Sequence, residues 1–174
     1  MYIPEGVEVY LDEETVDGRI KALGEEISKD YAGKEPILIG ILKGSIPFMA
    51  QLAKRISLPA EFDFMAVSSY GNSRESSGKV RIIKDTDYDI KGKDVIVIED
   101  IVDTGITMTR LFEMLKGRGA CSLKLCTLLD KPSRRQVDIE PDYCGFEVPD
   151  KFMVGYGMDY AQKYRNLPYI GALL

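Results

Sequence analysis

Asp94-Val95-Ile96-Val97-Ile98-Glu99-Asp100-Ile101-Val102-Asp103-Thr104-Gly105-Ile106-Thr107 carries a strand, a loop and a helix start in one run. Asp94 to Ile98 is dominated by Val and Ile, the pattern of a strand buried on both faces. Two acidic residues follow, then a small-residue loop ending at Gly105, then a helix predicted over 107–117. In open α/β sheets, ligands bind beyond the carboxyl ends of the strands. A helix start there presents free N–H groups and a positive dipole end, which suit a phosphate. Thr104 and Thr107 add hydroxyl donors, and Gly105 lets the backbone approach closely. Glu99 and Asp100 cannot bind phosphate directly, so sugar hydroxyls or a magnesium ion are their natural ligands. One loop would thus hold a ribose by its hydroxyls and its 5′-phosphate together. The Gly-Lys-Ser/Thr element of a Walker loop is absent, and so is GxGxxG. Taken alone, Asp103-Thr104-Gly105 also reads as a simple turn and helix cap.

Working outward, apolar residues at helical spacing (Val16, Ile20, Leu23, Ile27) predict a helix over 13–31, stopped by Gly33. A short apolar run over 36–42 reads as a buried strand, followed by a helix over 46–56. Strands are predicted over 62–68, 80–83 and 123–129. The stretch 69–79, rich in Ser, Gly, Asn and charge, reads as a flexible loop. From Tyr143 onward the chain is rich in Tyr, Gly and Pro, with short strand-like pieces. Alternating strands and helices imply an α/β fold with a central parallel sheet flanked by helices. No repeat, low-complexity tract or linker interrupts it, so 1–174 reads as a single domain.

The net charge is −5, which weighs against nucleic-acid binding, since that depends on neutralising phosphates with Lys and Arg. The chain contains no histidine, so Ser-His-Asp and Cys-His catalysis and histidine-ligated metals are excluded. Cys121, Cys126 and Cys144 are odd in number and lack a CxxC spacing, and are expected to be core cysteines rather than disulfides or zinc ligands. No apolar run approaches the roughly 20 residues of a membrane span, and the N-terminus lacks a signal core. The protein is therefore expected to be complete, cytoplasmic and without a membrane partner.

The pattern of hydrophobic strand, two acidic residues, two apolar residues and Asp-Thr-Gly-x-Thr closely resembles the phosphoribosyl pyrophosphate (PRPP) signature of the type I phosphoribosyltransferases. Further motifs extend the resemblance. Leu42-Lys43-Gly44-Ser45 looks like the family's pyrophosphate loop, where the peptide entering the lysine can be cis. Ser69-Tyr70 matches the start of its flexible lid. Leu128-Leu129-Asp130-Lys131, the segment Phe146 to Tyr160, and Tyr164-Arg165-Asn166-Leu167 match the hypoxanthine-guanine phosphoribosyltransferases, so that the likeness covers nearly the whole chain from Gly40.

The resemblance implies a Rossmann-like sheet, a small hood built from the N- and C-terminal segments, and a flexible active-site loop. It implies roles as well. Glu99, Asp100, Asp103, Thr104, Gly105 and Thr107 would bind PRPP. Lys43, Gly44 and Arg165 would bind pyrophosphate, and Ser69 and Tyr70 would belong to the lid. Lys131 would donate to the purine O6, Phe152 would stack on the base, and the backbone of Met153 would meet its edge near C2. Asp159, which would also line the base pocket, would hold Mg2+ with Glu99 and Asp100. Asp103 would take a proton from N7 as N9 of hypoxanthine or guanine displaces pyrophosphate, giving IMP or GMP in purine salvage. A homo-oligomer, dimer or tetramer, is implied. Two other readings stand beside this one: a xanthine-preferring transferase, and an RNA-binding regulator on the same fold.

Overall fold

The computed structural model of the chain describes residues 1–69 and 80–174. Nine strands are described: β1 Val7–Leu11, β2 Ile37–Ile41, β3 Glu61–Ser69, β4 Val80–Lys84, β5 Asp94–Val102, β6 Ser122–Asp130, β7 Tyr143–Glu147, β8 Met153–Val154 and β9 Ile170–Leu173. Three helices accompany them: α1 Glu13–Asp30, α2 Ile46–Ala53 and α3 Ile106–Gly117. A 3-10 turn spans Pro132–Arg134.

The central sheet runs in the order β4-β3-β2-β5-β6-β7. From β3 to β7 all pairings are parallel; β4 alone runs antiparallel, at the edge. The sheet is therefore mixed, not wholly parallel as the alternating pattern predicts. β4 begins soon after β3 ends in the sequence, from Ser69 to Val80, a shorter span than the roughly a dozen or more residues a parallel crossover takes, and it runs antiparallel.

Period-two alternation sorts the sheet's side chains between two layers. Leu38, Ile96, Ile98, Cys126 and Leu128 face α1 and α2, packing on Ile20, Leu23, Phe48 and Leu52. Ile37, Ile39, Val95, Val97 and Leu125 face the other way, onto Met108, Leu111 and Leu115 of α3. The start of α1 is fixed by Asp12, whose Oδ1 accepts from Thr15 N at 2.8 Å, and by Glu13 and Glu14 in the first turn. Its predicted apolar stripe is the buried one. α2 is shorter than predicted, because after Ala53 the chain tightens into i→i−3 bonds from Arg55 N to Leu52 O and from Ile56 N to Ala53 O.

β1, β9 and β8 form a second, antiparallel sheet in that order, joining the N-terminal strand to the last one. This is the expected hood of terminal segments. Val7, Val154, Leu167 and Tyr169 pack beneath it, and the Tyr169 hydroxyl donates to Tyr2 O at 3.0 Å. The core-cysteine expectation holds for Cys126 but fails for Cys121, which is exposed in the turn ahead of β6; Cys144 is half-buried. No described helix is long and apolar enough to cross a membrane.

Candidate active site

Three loops meet at the carboxyl edge of the central sheet: after β2, after β5 and after β6. The loop after β5 is the predicted phosphate site. Gly105 sits at the N-cap of α3 with φ of +81°, a conformation that side chains other than glycine's resist. A Cβ there would also lie 2.6 Å from Ile139 Cγ2. The segment after β6 braces the loop from behind: Gln136 N donates to Thr104 O at 2.9 Å, and Arg135 Nη1 donates to Asp103 O at 2.6 Å. Asp103, Thr104, Gly105 and Thr107 line a cavity of about 240 Å³ together with Glu99. Free N–H groups of the first turn of α3 and two hydroxyls make this a fitting place for a phosphate ester.

The β2 loop closes on the acidic pair. Gly44 is packed so tightly against the Asp100 carboxylate that any Cβ would overlap it, and on its other side the Gly44 carbonyl lies against Gly157. Arg165 Nη1 donates to Gly157 O at 2.7 Å, and its Nη2 pairs with Asp159 Oδ1 at 2.7 Å. Gly44, Asp100, Asp159 and Arg165, far apart in sequence, are thus gathered around one contact. The Leu42–Lys43 peptide is cis. Lys43 itself is exposed and lines neither this cavity nor the next one.

Glu99 is buried beside Asp100 and accepts from Asp100 N at 3.1 Å. Burial, reinforced by the Asp100 charge, holds the Glu99 carboxyl well above its ordinary range. Two carboxylates crowded in this way suit a cation. Among the described residues no three His, Cys, Asp or Glu converge as a complete metal cage. The adjacent Glu99 and Asp100 fit Mg2+, which is commonly held by one or two carboxylates with substrate oxygens and water filling the rest. Asp159 has both oxygens engaged, Oδ1 by Arg165 Nη2 at 2.7 Å and Oδ2 by Gln162 N at 2.8 Å, and can contribute only by sharing its carboxylate with them.

A second cavity, of about 360 Å³, opens between the β6 loop and the hood. Lys131, Phe152, Met153 and Asp159 line it, as do Asp100 and Asp103. Lys131 is 7% exposed and has no ion-pair partner among the described residues. An ammonium there favours a ligand that offers it an acceptor. Phe152 is 52% exposed and meets Tyr160 edge-on, with ring centroids 5.6 Å apart, which leaves it available for stacking. Met153 is buried by its pairing with β9.

Of the predicted lid pair, Tyr70 lies outside the described residues, and Ser69 ends β3. Sequence reasoning missed Arg134, Arg135 and Asp150. Arg134 Nε donates to Asp103 Oδ1 at 2.7 Å, and its Nη1 lies 3.3 Å from Asp150 Oδ1. The available signal was a pair of arginines in a Pro-led turn just after Lys131.

Residues 6–161 match the phosphoribosyl transferase domain family. The chain is 54% identical to the hypoxanthine-guanine phosphoribosyltransferase of Bacillus subtilis over 165 residues, covering 95% of this chain and 92% of that one. It is 53% identical to the protein of the same name from Streptococcus thermophilus, with the same coverage of both chains. Among solved structures, a hypoxanthine phosphoribosyltransferase from Staphylococcus aureus superposes with a TM-score of 0.93 at 52% identity, covering 96% of this chain and 91% of that one. With a phosphate-loop cavity and a lysine-walled cavity sharing Asp103, the chain belongs to the phosphoribosyltransferase family of enzymes.

Proposed function

We propose that the chain transfers the 5-phosphoribosyl group of PRPP to N9 of hypoxanthine or guanine, releasing pyrophosphate and yielding IMP or GMP. The observation that carries this reading is Lys131, buried and without an ion-pair partner among the described residues, in a cavity that also holds Asp103 and Phe152. An ammonium offers donors only, and a 6-oxopurine offers an acceptor oxygen. Relatives at 53–54% identity that bear the name hypoxanthine-guanine phosphoribosyltransferase support it, and favour it over a xanthine-preferring enzyme or an RNA-binding regulator.

In this scheme Thr104, Gly105 and Thr107 bind the 5′-phosphate at the start of α3, and Glu99 and Asp100 hold the ribose hydroxyls. Lys131 donates to O6, Phe152 stacks on the ring, and the Met153 backbone meets the edge near C2. Asp103 accepts the N7 proton as N9 attacks C1 of the ribose. Arg165, Lys43 and the Gly44 N–H receive the pyrophosphate, which gains charge as it leaves. Ser69 and Tyr70 belong to a lid that excludes water from the reacting ribose. Glu99, Asp100 and Asp159 are the residues that would hold Mg2+. When bound, that ion neutralises charge on the pyrophosphate oxygens.

We take residues 1–174 as one cytoplasmic phosphoribosyltransferase domain that assembles with copies of itself as a dimer or tetramer. Phe62 and Ile83, exposed on neighbouring strands β3 and β4, supply apolar surface for such contacts. Size-exclusion chromatography with light scattering tests the assembly, and a monomer at micromolar concentration would refute it.

The function is tested by supplying PRPP and Mg2+ with hypoxanthine, guanine, xanthine or adenine and following pyrophosphate release. Turnover with the first two bases is expected. Efficient use of adenine, or no PRPP-dependent nucleotide with any base, would overturn the reading.

A further inference from the structure

Two adjacent arginines grip Asp103 from opposite ends. Arg135, largely buried, donates to the Asp103 main-chain oxygen at 2.6 Å and pairs with Asp130, so it belongs to the architecture of the loop. Arg134 has a different character. Its side chain is 45% exposed, and its polar contacts among the described residues are with two carboxylates, Asp103 and Asp150. Both carboxylates line the lysine-walled cavity, as does Arg134 itself. An exposed ion pair of this kind contributes little to folding stability. Its consequence lies in orientation.

An Asp carboxylate turns broadly about its second torsion. The bond from Arg134 Nε to Oδ1, at 2.7 Å, fixes that turn. Oδ2 of Asp103 has no hydrogen-bond donor among the described residues, and it belongs to the side chain that lines the cavity. At its far end Arg134 reaches Asp150, two residues before Phe152. One side chain therefore links the proton-accepting carboxylate to the loop carrying the stacking ring.

We propose that Arg134 is a positioning residue for the transfer. It holds the Asp103 carboxylate with Oδ2 free for the purine N7 proton, and through Asp150 it ties that setting to the Phe152 loop. This rests on the assignment of Asp103 as proton acceptor in the proposed reaction.

The test is a double-mutant cycle between Asp103→Asn and Arg134→Gln, read as kcat and KM with hypoxanthine and PRPP. In the native background Arg134→Gln should lower kcat about tenfold, the scale of losing a reactive group's alignment, and leave the KM for PRPP nearly unchanged. Arg134→Lys should recover only part of the loss, because an ammonium lacks the two-ended fork of a guanidinium. In the Asp103→Asn background the effect of Arg134→Gln should shrink to about twofold or less, as expected of residues acting as a unit. Asp150→Asn should mainly raise the KM for the base. An equal loss from Arg134→Gln in both backgrounds would overturn the proposal, since Arg134 would then act independently of Asp103. No loss in the native background would overturn it as well. If native protein made no nucleotide from PRPP, or Asp103→Asn had no effect on kcat, the reading of Asp103 would itself fall and take this proposal with it.

Discussion

Two buried ionisable residues, Glu99 and Lys131, line the neighbouring cavities of the proposed site. Glu99 is pressed against Asp100 in the interior, and its carboxyl is held well above the ordinary value. The folded chain therefore keeps this proton more tightly than the unfolded chain does. Stability is lost as pH rises above about 4.5, the ordinary Glu value, until the folded group ionises too. Glu99→Gln, of the same shape but neutral, removes that loss. Without divalent ions or PRPP, the melting temperature of the variant should gain on the native protein as pH rises from about 5 to 8; parallel curves would mean that Glu99 carries no such penalty. Lys131 is the complementary case, a buried basic side chain with no ion-pair partner among the described residues. Adenine would bring it a second donor, and a site built around such a bond rejects the mismatched analogue by about 10⁴ or more. Gln offers both a donor and an acceptor, so Lys131→Gln should lose much of the discrimination against adenine in steady-state kinetics. Unchanged selectivity in a folded variant would remove Lys131 from the base site. At this scale the sequence was legible where residues sit in a spaced motif, as Glu99 to Thr107 do. It was silent on Arg134 and Asp150, because two charges in separate surface turns look like ordinary solvated residues until the fold brings them to one carboxylate.

The strand–loop–helix unit of β5 and α3 shows how an element places such residues. Its parallel pairing with β6 is continuous from Asp94↔Ser122 to Val97↔Leu125 and beyond, so the loop leaves a rigid edge. The loop is then held by neighbours rather than by its own hydrogen bonds: Thr104 Oγ1 lies 3.4 Å from Ile106 N, a weak contact, whereas Gln136 N bonds Thr104 O at 2.9 Å. Thr107→Val removes one hydroxyl and keeps the helix, so PRPP and IMP should each bind more weakly by roughly 1.5–3 kcal/mol, the usual worth of a bond to a charged group. Calorimetric titration with IMP reads this directly, and unchanged affinity would dismiss Thr107 as a phosphate ligand. The unit was predictable because its period changes within one continuous segment. The strand β4 was predicted as well, but its antiparallel direction was not, since that is set by how the chain returns. Nor was the support of β3, where buried Asp63 accepts from Asp87 N at 2.8 Å and pairs with Lys84 at 3.6 Å.

At the scale of the whole molecule, the proposed 5′-phosphate and base sites rest on different parts, while the proposed pyrophosphate site of Arg165 and Asp159 lies on the C-terminal segment. The phosphate cavity stands on the central sheet and α3, while the base cavity leans on the hood through Phe152 and Met153. The hood was legible only through family resemblance. β1 is a short strand that finds its partner at the far end of the chain, with Val7 opposite Leu173, and nothing local announces a pairing of that span. β9 lies between β1 and β8, and Leu173 N donates to Phe152 O at 2.9 Å, so the last strand carries the wall of the base cavity. This division makes the two binding steps separable by packing changes alone. Tyr169 is fully buried beneath the hood, and Tyr169→Ala should cost about 3–5 kcal/mol, the range for truncating a large buried aromatic. Leu115, fully buried where α3 meets the sheet and two turns beyond the phosphate loop, is the matched control; Leu115→Ala should cost about 2–5 kcal/mol. Denaturant titration calibrates the two losses. Under conditions where both variants remain folded, Tyr169→Ala should raise the KM for hypoxanthine and guanine several-fold while changing the affinity for ribose 5-phosphate little. Leu115→Ala, destabilised to a similar degree, should leave the KM for the bases near native. If both variants shifted the bases and ribose 5-phosphate alike, the hood would be no more than a part of one common core, and the base site would not depend on it separately.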